Sequence, residues 1–194
     1  MIFIKWEYVL TEYVYRRFSR PIAKFLARFD VNPNTVTIVA TLIGLASGFV
    51  IAIGKIIEGV ILILISQILD CADGDLARLT NRVTRLGAFL DRVFDRFVDS
   101  AVIIGIVALS PSELWLPGFL AVIGSFGVSM SRAMAEAEGV VCKVGIGGRD
   151  TRLAIIMIGL LLGYLAETLW IIAVLGFTTT FHRIVYTAKR LHSQ

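Results

Sequence analysis

The chain has 194 residues, 57% of them hydrophobic, and a formal net charge of +4. A soluble core of this size could not hide so much apolar surface, which excludes a water-soluble globular domain and places the chain in a bilayer. A spanning helix takes roughly 20 mainly apolar residues, and about six such stretches fit, so residues 1–194 read as a single all-α membrane domain with no soluble domain or linker left over.

In chain order, residues from about 4 to 28 set Val14, Phe18, Ile22 and Phe25 against Arg16, Arg17, Arg20 and Lys24 at helical spacing. That pattern predicts an amphipathic helix lying in the membrane interface over 1–30. Glu7 and Glu12 interrupt the apolar run that a cleavable signal would need, so this segment is expected to remain on the mature chain. Asp30 to Asn34 supplies turn residues, and Pro33 suits the first turn of a helix running through Val36 to about Gly54. A second apolar helix begins near Ile56 and runs into Asp70, and a third covers Thr84 to about Leu109. Pro111 and Pro117 are expected to bracket a short outer turn before a fourth span that ends near Ala133. Two more spans, near Arg152 to Leu165 and Leu169 to Val185, are expected to meet at a short turn around Glu167, completing a six-helix transmembrane bundle over 33–191. Gly44 and Gly48, and Gly159 and Gly163, have the spacing that lets membrane helices approach closely.

Basic residues cluster before the first span, around Arg78 to Arg96, around Arg132 to Arg152, and at Arg183 to Arg190, while the intervening loops hold only Lys55. The positive-inside rule therefore puts both termini and the even-numbered loops in the cytoplasm of a multi-pass membrane protein. Cys71 and Cys142 fall on that reducing side without the spacing of a metal site, so free thiols are expected.

The stretch from Leu69 to Ser100 carries six aspartates where a bilayer ordinarily excludes them. Intramembrane carboxylates are functional candidates by default. Asp70 and Asp73 are three apart and Asp91 and Asp95 four apart, so each pair shares one helix face. Folding the chain at 82–83 sets Asp73 opposite Asp91 and Asp70 opposite Asp95. Four carboxylates at one depth call for cations, and hard oxygen ligands suit magnesium, manganese or calcium, with room for two ions. Gly74 and Gly87 remove side chains beside them, leaving backbone open to a base or phosphate, and Arg78 and Arg82 add positive charge for phosphate. Asp75 is expected to point off the paired face toward an arginine, and Asp99 to extend the Asp91–Asp95 stripe, both in structural roles.

The pattern Asp70-x2-Asp73-Gly74-x2-Ala77-Arg78-x8-Gly87-x3-Asp91-x3-Asp95 resembles the signature of the CDP-alcohol phosphotransferases at all eight fixed positions. The resemblance covers nearly the whole chain, including Asn34-x2-Thr37 entering the first span. It implies that Asp70, Asp73, Asp91 and Asp95 bind two Mg2+ or Mn2+ ions and that Asp95 is also the general base. It further implies that Asn34, Thr37, Gly74, Ala77, Arg78, Thr84 and Gly87 line the CDP-alcohol site. The partners it implies are a CDP-alcohol donor, a small polar acceptor and the lipid bilayer, with a homodimer as the assembly and no nucleic acid.

Residues 131–139 and 147–153 resemble the matching segments of phosphatidylinositol-phosphate and archaetidylinositol-phosphate synthases, whose acceptor is inositol phosphate. On that resemblance Arg132, Arg149 and Arg152 bind the acceptor. One departure stands out: those enzymes usually carry a second basic residue where this chain has Met134. Glycerol phosphate, serine or free inositol are the alternative acceptors. Two other classes compete. A membrane prenyltransferase would lack the Ala-Arg and glycine pattern, and a cation transporter would hold its carboxylates at the midplane between repeats that this sequence does not show.

The charge asymmetry is tested by labelling single cysteines. A cysteine at Thr80 is expected to react from the cytoplasmic side and one at Glu167 from the outside; the reverse result would overturn the orientation.

Overall fold

The structure, a computed structural model, describes residues 15–192. Among them are seven helices and no strand: α1 (Arg16–Arg28), α2 (Pro33–Ala52), α3 (Ile56–Leu79), α4 (Arg85–Val107), α5 (Pro111–Ala137), α6 (Arg149–Leu162) and α7 (Leu165–His192). The protein is all-α, as its periodicity predicts. The part of the expected interfacial helix before Tyr15, with Glu7, Glu12 and Val14, lies outside the described residues. The described helices divide into two compact units, α1 to α4 and α5 to α7.

In the first unit α2 packs along both α3 and α4, and α1 rests on α3. Ala23 of α1, Val36 of α2 and Leu76 of α3 form a small buried cluster at this end. Small residues determine how closely α2 can lie. A Cβ at Gly44 would meet the Val98 methyls at 2.7 Å and the Ser66 hydroxyl at 2.8 Å. One at Gly48 would run into the Ala101 carbonyl, and one at Gly105 into the carbonyl of Gly48. The α2 and α4 backbones therefore touch directly, as the Gly44–Gly48 spacing allows. Ser66 Oγ adds a bond from α3 to the Ala40 carbonyl at 2.9 Å. Helix starts follow local chemistry: Asn32 Oδ1 accepts from Asn34 N at 2.9 Å ahead of Pro33, and Thr84 Oγ1 accepts from Gly87 N at 3.0 Å.

In the second unit α5 packs along α7 at Gly124 and Gly176, and Gly159 of α6 faces Thr168 of α7. Two expected turns are corrected here. Pro111 starts α5, where its missing N–H costs nothing, and Pro117 lies inside that helix rather than closing a turn. Gly163, at φ 77°, ends α6, so the last turn is Gly163–Tyr164 and Glu167 already belongs to the first turn of α7. Cys71 and Cys142 are free, as expected.

Among the described residues three helices, α2, α5 and α7, are long and apolar enough to cross a membrane, against the six spans expected. The other three fall short for plain reasons. Every 18-residue stretch of α3 takes in Asp70, Asp73 and another charge, every such stretch of α4 takes in Asp91, Arg92, Asp95 and Arg96, and α6 has only 14 residues.

The contact between α2 and α4 generates a stability prediction. Gly48→Val should destabilise the protein by about 1–3 kcal/mol, because the new side chain meets backbone that cannot move aside. Leu42→Ala, at a position 61% exposed, should change it little. Unfolding in detergent checks both, and equal behaviour of the two variants would show that the close approach is unimportant.

Candidate active site

The turn at 80–84 joins the C-terminal end of α3 to the start of α4, so the aspartates of the two helices approach near one end of the unit. Carboxylate oxygens of Asp70, Asp91 and Asp95 lie within 4.8 Å of one another, all three side chains partly buried. Asp73 sits deeper, 7% exposed, with Asp70 and Asp91 as its charged neighbours and Thr37 of α2 beside it. The sequence spacing paired Asp70 with Asp95 and Asp73 with Asp91; the structure groups Asp70 with both α4 aspartates. Arg96 reaches Asp95 at 3.4 Å.

The donor set suits a hard divalent cation: it is made of carboxylate oxygens alone. A second observation agrees with this. Asp73 Oδ2 is buried and has no hydrogen-bond partner, a costly state for a carboxylate oxygen unless something else occupies its lone pairs. The residues present therefore fit a metal.

Residues expected around the nucleotide gather at the N-terminal ends of α2 and α4. A Cβ at Gly87 would come 3.0 Å from Asn34 Oδ1 and 3.1 Å from Thr84 Oγ1, so these three positions line one narrow space. On α3, a Cβ at Gly74 would lie 3.3 Å from Arg78 Nη2 and 3.5 Å from Nη1. The Arg78 guanidinium thus extends across the bare backbone of Gly74. Ala77, one turn after Asp73, is partly buried. Arg82, read from sequence as positive charge for phosphate, pairs with Asp30 of the α1–α2 turn at 2.5 Å. Asp75 meets an arginine as expected: Arg78 Nη2 donates to its Oδ1 at 2.8 Å.

In the second unit, Arg132 pairs with Glu136 at 2.8 Å and stays about one-third exposed. Arg149 opens α6 and is partly buried. Arg152 is 2% exposed, and its Nη1 donates to the Gly147 carbonyl at 2.6 Å. Gly147 N in turn donates to Thr179 Oγ1 of α7 at 3.0 Å, so the loop before α6 is fastened from both sides.

Two residues were not singled out by sequence reasoning. Arg183, read there only as a marker of orientation, is 3% exposed and donates to the carbonyls of Val144 at 2.8 Å and Val128 at 2.5 Å, one turn before Arg132. Ser19, hidden among the basic residues of α1, is fully buried and donates to Asp75 Oδ2 at 2.7 Å. Its one sequence signal is its place four residues before Ala23, which makes a small-residue stripe on α1.

Comparison with known proteins agrees with the site. Residues 30–182 match the family model described as CDP-alcohol phosphatidyltransferase. The chain is 38% identical over 184 residues to the archaetidylinositol phosphate synthase of Methanothermobacter thermautotrophicus, covering 92% of both chains. It is 30% identical over 192 residues to the phosphatidylinositol phosphate synthase of Mycolicibacterium smegmatis, covering 91% of this chain and 86% of that one. Among solved structures, it resembles Mycobacterium tuberculosis phosphatidylinositol phosphate synthase with CDP-DAG bound, at a TM-score of 0.81 and 27% identity over 88% of this chain and 94% of that one. The same enzyme in complex with manganese and citrate matches at a TM-score of 0.80 and 28% identity, over 87% and 88%. With its eight-position motif, its aspartate cluster and these relatives in agreement, the chain is an enzyme of the CDP-alcohol phosphatidyltransferase family.

Proposed function

We propose that this chain transfers the phospho-alcohol group of a CDP-linked lipid to the hydroxyl of inositol phosphate, releasing CMP, as a step of phospholipid synthesis. The observation that carries the reading is the carboxylate cluster, three oxygens within 4.8 Å beside a buried Asp73 oxygen with no partner, set in the family motif. Asp70, Asp73, Asp91 and Asp95 would hold divalent cations, two Mg2+ or Mn2+ ions in this reading. Such ions supply positive charge for the attacking and leaving oxygens of the phosphoryl group. The M. tuberculosis relative bound to manganese supports the choice of cation.

The protein's own groups account for the rest. Gly74 and Gly87 leave backbone accessible to the donor, and Arg78 offers charge to its diphosphate. Asn34, Thr37, Ala77 and Thr84 complete the walls of the CDP-alcohol site. Asp95 takes the proton from the acceptor hydroxyl as that oxygen attacks phosphorus. No residue need act as a nucleophile. Arg132, Arg149 and Arg152 receive the acceptor's phosphate. The relatives named as inositol phosphate synthases support that acceptor over glycerol phosphate, serine or free inositol.

In the same proposal residues 1–194 form one membrane domain. Residues 1–30 lie in the interface, the bundle over 33–191 crosses six times, and both termini and the active site face the cytoplasm. The enzyme works as a homodimer.

Replacing Asp95 with Asn keeps the size and removes the base. Turnover should fall by about 10²–10⁴-fold, while CDP-alcohol binding stays largely intact; Asp70→Asn should instead weaken metal binding. CMP release and metal titration check the pair, and normal turnover of Asp95→Asn would remove the base assignment.

The acceptor reading is tested by steady-state kinetics with both substrates varied. Arg132→Ala and Arg152→Ala should raise the acceptor KM far more than the donor KM, since losing a desolvated charge pair to phosphate costs roughly 2–5 kcal/mol. Arg132→Ala is the cleaner variant, because Arg152 also fastens Gly147. Equal effects on the two substrates, or full activity with free inositol, would leave no case for a phosphate pocket.

A further inference from the structure

Asp75 has no place in the family motif, yet it is a buried and well-bonded carboxylate. Both oxygens are engaged: Arg78 Nη2 donates to Oδ1 at 2.8 Å and Ser19 Oγ donates to Oδ2 at 2.7 Å. Its side chain is only 12% exposed, so these charge-assisted bonds act where water screens little. The Arg78 side chain is different, 57% exposed, with its guanidinium crossing Gly74 next to Asp73. One end of that guanidinium is thus fixed by a buried carboxylate and the other side stays open. Ser19 is 0% exposed and belongs to α1, which is seated on α3 through Ala23 and Leu76. The chain of bonds therefore begins on a helix with Arg17, Arg20 and Lys24 on its open side and ends at Arg78, whose guanidinium crosses Gly74.

We infer that Ser19 and Asp75 are positioning residues for donor binding: together they hold the Arg78 guanidinium across Gly74, aimed at the diphosphate of the CDP-alcohol. A long arginine that must be ordered on binding loses side-chain entropy, whereas one already held by a buried carboxylate loses less. The arrangement also makes the seating of α1 on α3 a condition for full donor affinity. The inference rests on Arg78 contacting the donor, as proposed above, and adds two residues outside the motif to that contact.

The experiment uses the full-length enzyme in lipid nanodiscs, with CDP-diacylglycerol as donor probe and inositol phosphate as acceptor, and a separate measurement of CDP binding. Asp75→Asn should raise the donor KM and the Kd for CDP about tenfold. Ser19→Ala should raise them roughly threefold. In both variants kcat and the acceptor KM should stay within about twofold of the parent enzyme. In an Arg78→Ala background, Asp75→Asn should add less than about twofold, because the residue it positions is gone. Should Arg78→Ala itself leave donor KM and CDP binding unchanged, the donor-site reading fails. Should Arg78→Ala weaken donor binding while Ser19→Ala and Asp75→Asn do not, or lower only thermal stability, the positioning role is overturned. Ser19→Ala keeps the test decisive if Asp75→Asn folds poorly, since it removes one bond and leaves the carboxylate paired with Arg78.

Discussion

Like charges in a poorly solvated place repel, and the first unit is organised around that fact. Three carboxylate oxygens within 4.8 Å, with a fourth, buried aspartate next to them, form a state that a folded chain tolerates only with compensation. Compensation from the protein is uneven. Asp95 has Arg96 at 3.4 Å, while Asp73 has an oxygen that nothing in the protein reaches. Asp75, two residues further on, has a donor on each oxygen, Arg78 on Oδ1 and Ser19 on Oδ2. Adjacent aspartates on one helix thus divide between a carboxylate closed off by bonds and one left able to accept a ligand. A carboxylate oxygen with no protein donor offers more to a cation than one already bonded, so of these two aspartates Asp73 is the one suited to a ligand.

The packing of α2 explains how the two aspartate pairs come together at all. A hairpin of α3 and α4 lying side by side would be the simplest reading of the mirrored spacing. Instead α2 runs along both, close enough that Gly48 touches the Ala101 carbonyl and Gly105 touches Gly48. Its N-terminal turn then enters the site from the same end, bringing Asn34 to Gly87 and Thr37 to Asp73. Glycines far from the chemistry therefore decide whether Asn34 and Thr37 reach it. Bulk added at Gly48 would push outward the very turn that lines the site.

How much of this was legible in the sequence depends on the range of the interaction. Local chemistry was readable: the Asp30 to Asn34 turn and Pro33 mark the start of α2, Thr84 marks that of α4, and the spacing of the four aspartates put each pair on one face. The errors at α5 and α7 are also local, yet they come from signals that point two ways. Pro117 is a helix breaker by type, but it falls early in α5 within an otherwise helical run. The apolar run continues past Gly163, so a charged residue, Glu167, looked like the turn when a left-handed glycine already made it. Tertiary partners were not readable in this way. Ser19 and Asp75 are 56 positions apart, and no periodicity in α1 distinguishes a serine that meets a carboxylate from one that fills space. Arg183 shows the same limit, since its two carbonyl partners lie 39 and 55 positions away.

The charges that make the site also lower the hydropathy of the helices that carry it. α3 has 24 residues, about 36 Å at 1.5 Å per residue, and α4 has 23, about 35 Å, so both are long enough for a hydrocarbon core of roughly 30 Å. Their composition does not mark them as spans. Asp70 lies nine residues before the end of α3 and Asp95 ten residues after the start of α4, which puts each about 14–15 Å from the end of its helix nearest the 80–84 turn. The two depths agree, as the 4.8 Å cluster requires. Asp70, Asp73, Asp91 and Asp95 lower the hydropathy of the two helices that bring them together, so for α3 and α4 a low apolar content is a consequence of the site they build.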